Sequence, residues 1–285
     1  MDILHRIEDI QSQVRHWRLE RLRIGFVPTM GNLHQGHLQL VEAMREHADR
    51  VVVSIFVNPT QFGVGEDFDS YPRTLDEDCA KLRSLDVATV FAPSAVAMYP
   101  DGAKLRTRVV VPELAGILCA ATRPGHFDGV ATVVSKLFHI VSPDIAAFGK
   151  KDYQQLRVIQ RMVADLNMPV RILPVETLRE PNGLAMSSRN AYLTIEEKER
   201  AAVLQQALQA AAERLQQGQE RQQVEAWGAE KLSKSGFRTD YFSIRRQADL
   251  LEPTSSDQEL VILAAGWLGK ARLIDNYELQ LNLGG

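Results

Sequence analysis

Through the first 176 residues the chain repeats one pattern, a short apolar run followed by a longer stretch whose apolar positions fall three and four apart. The runs "RIGFVPT", "RVVVSIFVNP", "ATVFAPS", "DIAAFG" and "VRILPVET" read as strands. Between them, helices are predicted at about 36–48, in "TLDEDCAKLRSL", in "GVATVVSKLFHIV" and in "DYQQLRVIQRMVADL". Nearly continuous apolar strands alternating with helices predict an α/β fold, a doubly wound parallel sheet covered on both faces. The N-terminal "MDILHRIEDIQSQVRHWR" reads as an amphipathic helix, and residues 105–111 as an added hairpin or edge strand.

After about Glu176 the pattern changes. A long Ala-, Gln-, Glu- and Arg-rich helix follows Thr194, which with Glu197 forms a capping box, and a second helix covers about 219–234. Three strands close the chain, "DYFSIRR", "ELVILAAGWL" and "ARLIDNYEL", the last two joined by a tight turn at Gly269 and Lys270. The expected organisation is a domain over 1–176 and a smaller α+β domain over 177–285.

Composition narrows the function. With 285 residues, 45% hydrophobic and 24% charged, the chain is long enough for one large domain or two ordinary ones, each with its own core. A net charge of −3 with scattered basic residues leaves no footprint for nucleic acid or an anionic membrane, so small molecules are the expected partners. The longest apolar runs are too short to span a bilayer, and the N-terminus lacks the continuous apolar stretch of a secretory signal. Cys79 and Cys119 match neither a disulfide framework nor a metal-ligand spacing, and a cytoplasmic protein is expected.

The chemistry concentrates in "VPTMGNLHQGHLQL", a strand, a turn with two glycines, and a helix start. In a doubly wound sheet the turn after such a strand faces the ligand crevice. A helix N-terminus favours phosphate, through its unpaired N–H groups and the positive end of its dipole. Gly31 and Gly36 clear space for close approach, and His34 and His37, one helical turn apart, would donate to phosphate oxygens. Histidines that merely cap the helix are the other reading, and a zinc site lacks a third ligand nearby in sequence.

"PTMGNLHQGHLQL" resembles the H-x-G-H signature of the nucleotidylyltransferase superfamily, and its fuller form resembles the pantothenate synthetase (pantoate–β-alanine ligase) family. The resemblance continues in order through "FVNPTQF", "YPRTLDEDC", "RPGHFDGVATVV", "FGKKDYQQL", "GLAMSSRNAYL" and "ARLIDN", nearly the whole chain. It implies a Rossmann-like fold of nucleotidylyltransferase type, with the C-terminal domain closing over the active site. The implied reaction condenses (R)-pantoate with β-alanine at the expense of ATP, releasing AMP and pyrophosphate through a pantoyl adenylate. A carboxylate nucleophile is already ionised at neutral pH, so catalysis reduces to positioning and charge stabilisation.

By the same resemblance His34, His37, Lys151 and Arg189 are catalytic. ATP is met by Met30, Gly31, Gly149, Lys150, Lys151, Asp152, Leu178, Met186, Ser187, Ser188 and Arg189, besides the two histidines. Gln61, Gln155, Asn58 and Met30 are expected at pantoate or β-alanine, while His126 is expected to be structural. Magnesium is expected with ATP, Glu77 and Asp78 being its candidate ligands. A homodimer is also implied.

Two positions depart from the family pattern. Leu118-Cys119-Ala120 stands where many relatives have leucine-glutamate-glycine, and Lys150 where glutamate is frequent; both make the surroundings more positive. Another H-x-G-H adenylyltransferase and a non-catalytic ATP-binding regulator are the competing functions. Consumption of pantoate and β-alanine with ATP separates all three.

Overall fold

The computed structural model describes residues 1–63, 65–66, 68–102 and 107–281. They form two units, residues 1–150 with 158–176, and residues 151–157 with 177–281.

In the first unit β1 (Asp2–Leu4), β2 (Ile24–Thr29), β3 (Arg50–Ile55), β4 (Thr89–Phe91), β5 (Ile145–Gly149) and β6 (Arg171–Val175) make one sheet in the order β1-β4-β3-β2-β5-β6, every pairing parallel. From β2 the chain winds outward through β3 and β4, then returns to the other side of β2 for β5 and β6. That reversal is the switch point at which sheets of this kind bind ligands, beyond the strands' carboxyl ends.

Alternation along β2 assigns the two faces. Val27 joins Val41 and Met44 of α2 (Gln35–Arg45), Val51 and Val53 of β3, and Leu82 of α3 (Leu75–Arg83) in one core. Phe26 points the other way, with its ring 6.3 Å from Phe138 of a later helix, which meets Phe148 of β5 at the same distance. Each such fully buried side chain contributes about 1.5–3 kcal/mol. Three further helices belong to this part of the chain: α1 (Ile7–Leu19) and the short α4 (Ala95–Met98) and α5 (Cys119–Thr122). The helix carrying Phe138 is α6 (His126–Val141), and α7 (Tyr153–Asp165) precedes β6.

The second unit pairs β7 (Arg238–Arg246), β8 (Glu259–Leu268) and β9 (Ala271–Gln280) antiparallel in that order, and Gly269-Lys270 makes the two-residue turn predicted between the last two. Its helices are α8 (Ile195–Ala201), α9 (Val203–Gln216) and α10 (Arg221–Lys234). Leu204, Leu208, Ala211 and Val224 pack with Phe242, Ile262 and Leu273 as its core.

Three expectations are corrected. The single long helix after Thr194 is α8 and α9, because the Ala202 N–H turns to the Glu199 carbonyl three residues back and tightens the backbone there. The N-terminal helix is preceded by β1, a three-residue edge strand too short to show a period. Of the expected 105–111 strand, 105 and 106 lie outside the described residues and 107–111 contain no strand. Residues 151–157, which lie within the expected first domain, group with the second unit.

Candidate active site

The first unit's candidate residues gather beyond the carboxyl ends of β3, β2 and β5, three neighbours in the sheet. Gly31 turns the chain at φ +81°, in the region that favours glycine, and a side chain there would meet Ile55 and the Asp78 carboxylate at 3.0 and 3.1 Å. Asp78 is fully buried: one oxygen accepts from the Asn32 N–H at 2.8 Å and from the Thr74 hydroxyl, and the other from the Leu33 N–H at 2.7 Å. Lys81 closes the clamp by donating to the Leu33 carbonyl at 2.8 Å.

His34 is the N-cap of α2, and the two imidazoles form a reciprocal capping box. His34 Nδ1 accepts from the Gly36 N–H at 3.1 Å, and His37 Nδ1 accepts from the His34 N–H at 3.3 Å. An imidazole nitrogen that accepts cannot carry the proton, so each neutral ring holds it on Nε2. The rings stand 4.1 Å apart. Capping and phosphate binding, alternatives in sequence, are here compatible, because the cap occupies Nδ1 and leaves the proton on Nε2.

Gln61 ends the Pro59–Gln61 turn that follows β3. Its Oε1 accepts from Asn58 Nδ2 at 3.0 Å, which directs its Nε2 to the Met30 sulfur, a weak acceptor, at 3.1 Å. Asn58 is 1% exposed, and its amide is oriented from both ends. Oδ1 accepts from the Tyr99 hydroxyl at 2.8 Å and from the Thr60 hydroxyl at 3.0 Å, while Nδ2 also donates to the Gly129 carbonyl at 3.2 Å. Burial, the leading cause, raises the Tyr99 pKa and keeps this donor protonated.

His126 braces the same turn. Arg123, a donor only, meets His126 Nε2 at 3.1 Å, so the proton on Nδ1 is donated to the Gln61 carbonyl at 2.7 Å. Arg123 in turn grips Glu66 through two bonds of 2.6 and 2.7 Å. Burial pushes the Glu66 carboxyl up, but the hydrogen bonds and charge of Arg123 outweigh it and the net shift is downward. A cleft of about 250 Å³ opens here, with Gln61, Arg108, His126 and Asp128 in its wall.

In the same unit Gly149 ends β5, and the Lys150 ammonium lies 2.5 Å from the Glu176 carboxylate, which offsets the charge added by this departure from the family pattern. The second unit holds Lys151, Asp152, Gln155, Leu178 and 186–189. Lys151 and Asp152 close the 3₁₀ turn Lys150–Asp152, their charged groups 3.7 Å apart, and Gln155 lies in the first turn of α7, half-buried. The Met186 N–H bonds the Leu178 carbonyl at 2.9 Å, and Ser187 caps the 3₁₀ turn Ser188–Tyr192 by accepting from the Arg189 N–H at 3.2 Å.

Asp78, a candidate magnesium ligand, holds the loop, both carboxylate oxygens accepting hydrogen bonds inside the protein, while Glu77 is exposed on α3. Asn58, expected at substrate, is buried and supports Gln61. Among the described residues no three His, Cys, Asp or Glu side chains cluster to hold a metal ion. Tyr99, Arg123 and Gly129 went unnoticed in sequence because each acts through a partner 41 to 71 residues away.

The family model for pantoate–β-alanine ligase matches residues 2–278. Pantothenate synthetase of Alkalilimnicola ehrlichii is 53% identical over 99% of both chains, and that of Idiomarina loihiensis 54% identical over 93% of this chain and 94% of its own. Among solved structures, pantothenate synthetase from Thermus thermophilus superposes with a TM-score of 0.90 at 44% identity, covering 97% of this chain and 99% of its own. The Francisella tularensis pantoate–β-alanine ligase, complexed with β-γ ATP and β-alanine, gives 0.81 at 37% identity over 97% of each. The parallel sheet, the capped histidine pair at its switch point and the match along the chain agree, and the chain belongs to the pantoate–β-alanine ligase family.

Proposed function

We propose that the protein condenses (R)-pantoate with β-alanine at the expense of ATP. The observation that carries this reading to the level of atoms is the capping box, which leaves both His34 and His37 with the proton on Nε2 at the N-terminus of α2. The pantoate carboxylate attacks the α-phosphorus, the bond to the bridging oxygen breaks, and pyrophosphate leaves. Negative charge grows on the non-bridging oxygens as the phosphorus becomes five-coordinate, and the two imidazole N–H groups stabilise it with the helix dipole. Lys151 supplies a mobile positive charge to the phosphates, and Arg189, with Ser187 and Ser188, binds two phosphate oxygens at once.

Gln61 presents its amide N–H to an acceptor oxygen of pantoate, and Gln155 supplies a second amide. The amine of β-alanine then attacks the acyl carbon, AMP leaves with the electron pair of the broken C–O bond, and the ammonium proton passes to solvent. Magnesium, the usual counter-ion of a nucleoside triphosphate, would neutralise part of the charge that the carboxylate must approach. Leu178 and Met186 flank the adenosine. Resemblance along the whole chain supports a homodimer working in the cytoplasm, and no helix among the described residues is long and apolar enough to cross a membrane.

The test is product formation: ATP, pantoate and β-alanine should give pantothenate, AMP and pyrophosphate in equal amounts. Pantoate alone should support exchange of labelled pyrophosphate into ATP. A strict need for β-alanine in that exchange would refute the adenylate route, and ADP as product would refute the reaction class.

A further inference from the structure

The segment "ARLIDN" is the last of the family-like motifs along the chain. It forms much of β9, and its last two residues, Asp275 and Asn276, are 3% and 8% exposed. Neighbours on a strand point to opposite faces, so one strand position can hold two different partners.

Asp275 holds the stretch that carries Leu178. Its two oxygens receive Arg179 at 2.6 and 3.0 Å, and the same guanidinium donates to the Gly183 carbonyl at 3.0 Å. Residues 178–186 are a small hairpin, bridged at Arg179 and Ala185 and turned at Gly183. The ion pair therefore grips both its first arm and its turn. Asn190 extends the grip past the 186–189 loop, donating to Glu180 at 2.8 Å and to the Ala185 carbonyl at 3.1 Å.

Asn276 holds the other stretch, its Nδ2 donating to the Lys151 carbonyl at 3.1 Å. Two residues on, Glu278 accepts from the Tyr153 hydroxyl at 2.8 Å, and Tyr153 is 1% exposed. Burial, with the facing carboxylate, raises the Tyr153 pKa far above its usual value, so this donor stays protonated.

We propose that Asp275 and Asn276 are positioning residues that hold the Lys151 segment and the 178–189 segment on one rigid strand, fixing the spacing between the ammonium of Lys151 and the guanidinium of Arg189. The proposal rests on the reading that these two cations meet ATP. Neither Asp275 nor Asn276 touches nucleotide; each acts through the segment it holds.

The test uses the full chain and the pantoate-supported exchange of pyrophosphate into ATP. Asn276→Ala should raise the KM for ATP by about tenfold, the loss of one hydrogen bond, with the KM for pantoate unchanged. The same substitution in a Lys151→Ala background should add little, because residues that act as a unit are not additive. Asp275→Asn paired with Arg189→Ala should behave alike; should Asp275→Asn fail to fold, the Asn276 pair decides alone. An equal effect of Asn276→Ala in both backgrounds overturns the positioning role, as does a lowered thermal midpoint with an unchanged KM for ATP. If Lys151→Ala itself leaves the KM for ATP at the wild-type value, the nucleotide assignment fails first and takes the proposal with it.

Discussion

A neutral imidazole has one N–H and one lone pair, and in His34 and His37 the lone pair is spent on the helix start. Cap and donor are thereby separable by substitution. Asparagine is among the best N-caps, so His34→Asn should keep the thermal midpoint near that of wild type, whereas alanine at an N-cap costs about 1 kcal/mol. Both variants should slow pyrophosphate exchange by roughly 100- to 1000-fold, the usual loss for one preorganised donor. Exchange restored by asparagine would show that capping is the whole role. Glu66 offers a second test at this scale. Its folded pKa lies below the reference of 4.5, so its pairing with Arg123 contributes fully above that pH and is lost as pH falls through the lowered folded value. The gap in thermal midpoint between wild type and Glu66→Gln should hold constant from neutrality to about pH 4.5 and shrink below it; a gap that widens in acid would contradict the pairing.

Elements, not single contacts, decide how the Gln61 amide is presented. α6 lies against the 59–61 turn with no room to spare, since a side chain at Gly129 would come within 2.4 Å of the Thr60 carbonyl oxygen and 2.8 Å of Gln61 Cα. Gly129→Ala must therefore push the turn off the helix and carry Gln61 with it. Steady-state kinetics should show a raised KM for pantoate, or a lowered kcat, at a nearly normal KM for ATP. An unchanged pantoate dependence would detach the turn from substrate binding. This packing was invisible in sequence although α6 itself was predicted, because apolar spacing reports that a helix exists and not which of its residues touches a turn 68 positions away. The same limit hid Asp78, whose place among charged neighbours in "LDEDC" looks like a solvated helix face. Its burial is set by backbone N–H groups 45 and 46 residues upstream, which no local pattern records.

For the molecule as a whole, the parallel sheet and the histidine loop were legible because strand and helix periods are local and a long run of parallel strands has few ways to wind. The division of the chain was not, because it depends on bonds from Asn276 and Glu278 to residues 125 positions earlier. The 151–157 segment groups with the second unit although the chain before and after it belongs to the first. A ribosome releases this protein from its N-terminus, so Lys151 emerges long before the strand that holds it. Every residue proposed to touch ATP has been made by the time Arg189 appears, yet the strand anchoring Lys151, β9, follows only after that. Nascent chains short of it carry the nucleotide motifs without the strand proposed to space them, and that spacing can be set only after β9 has been made.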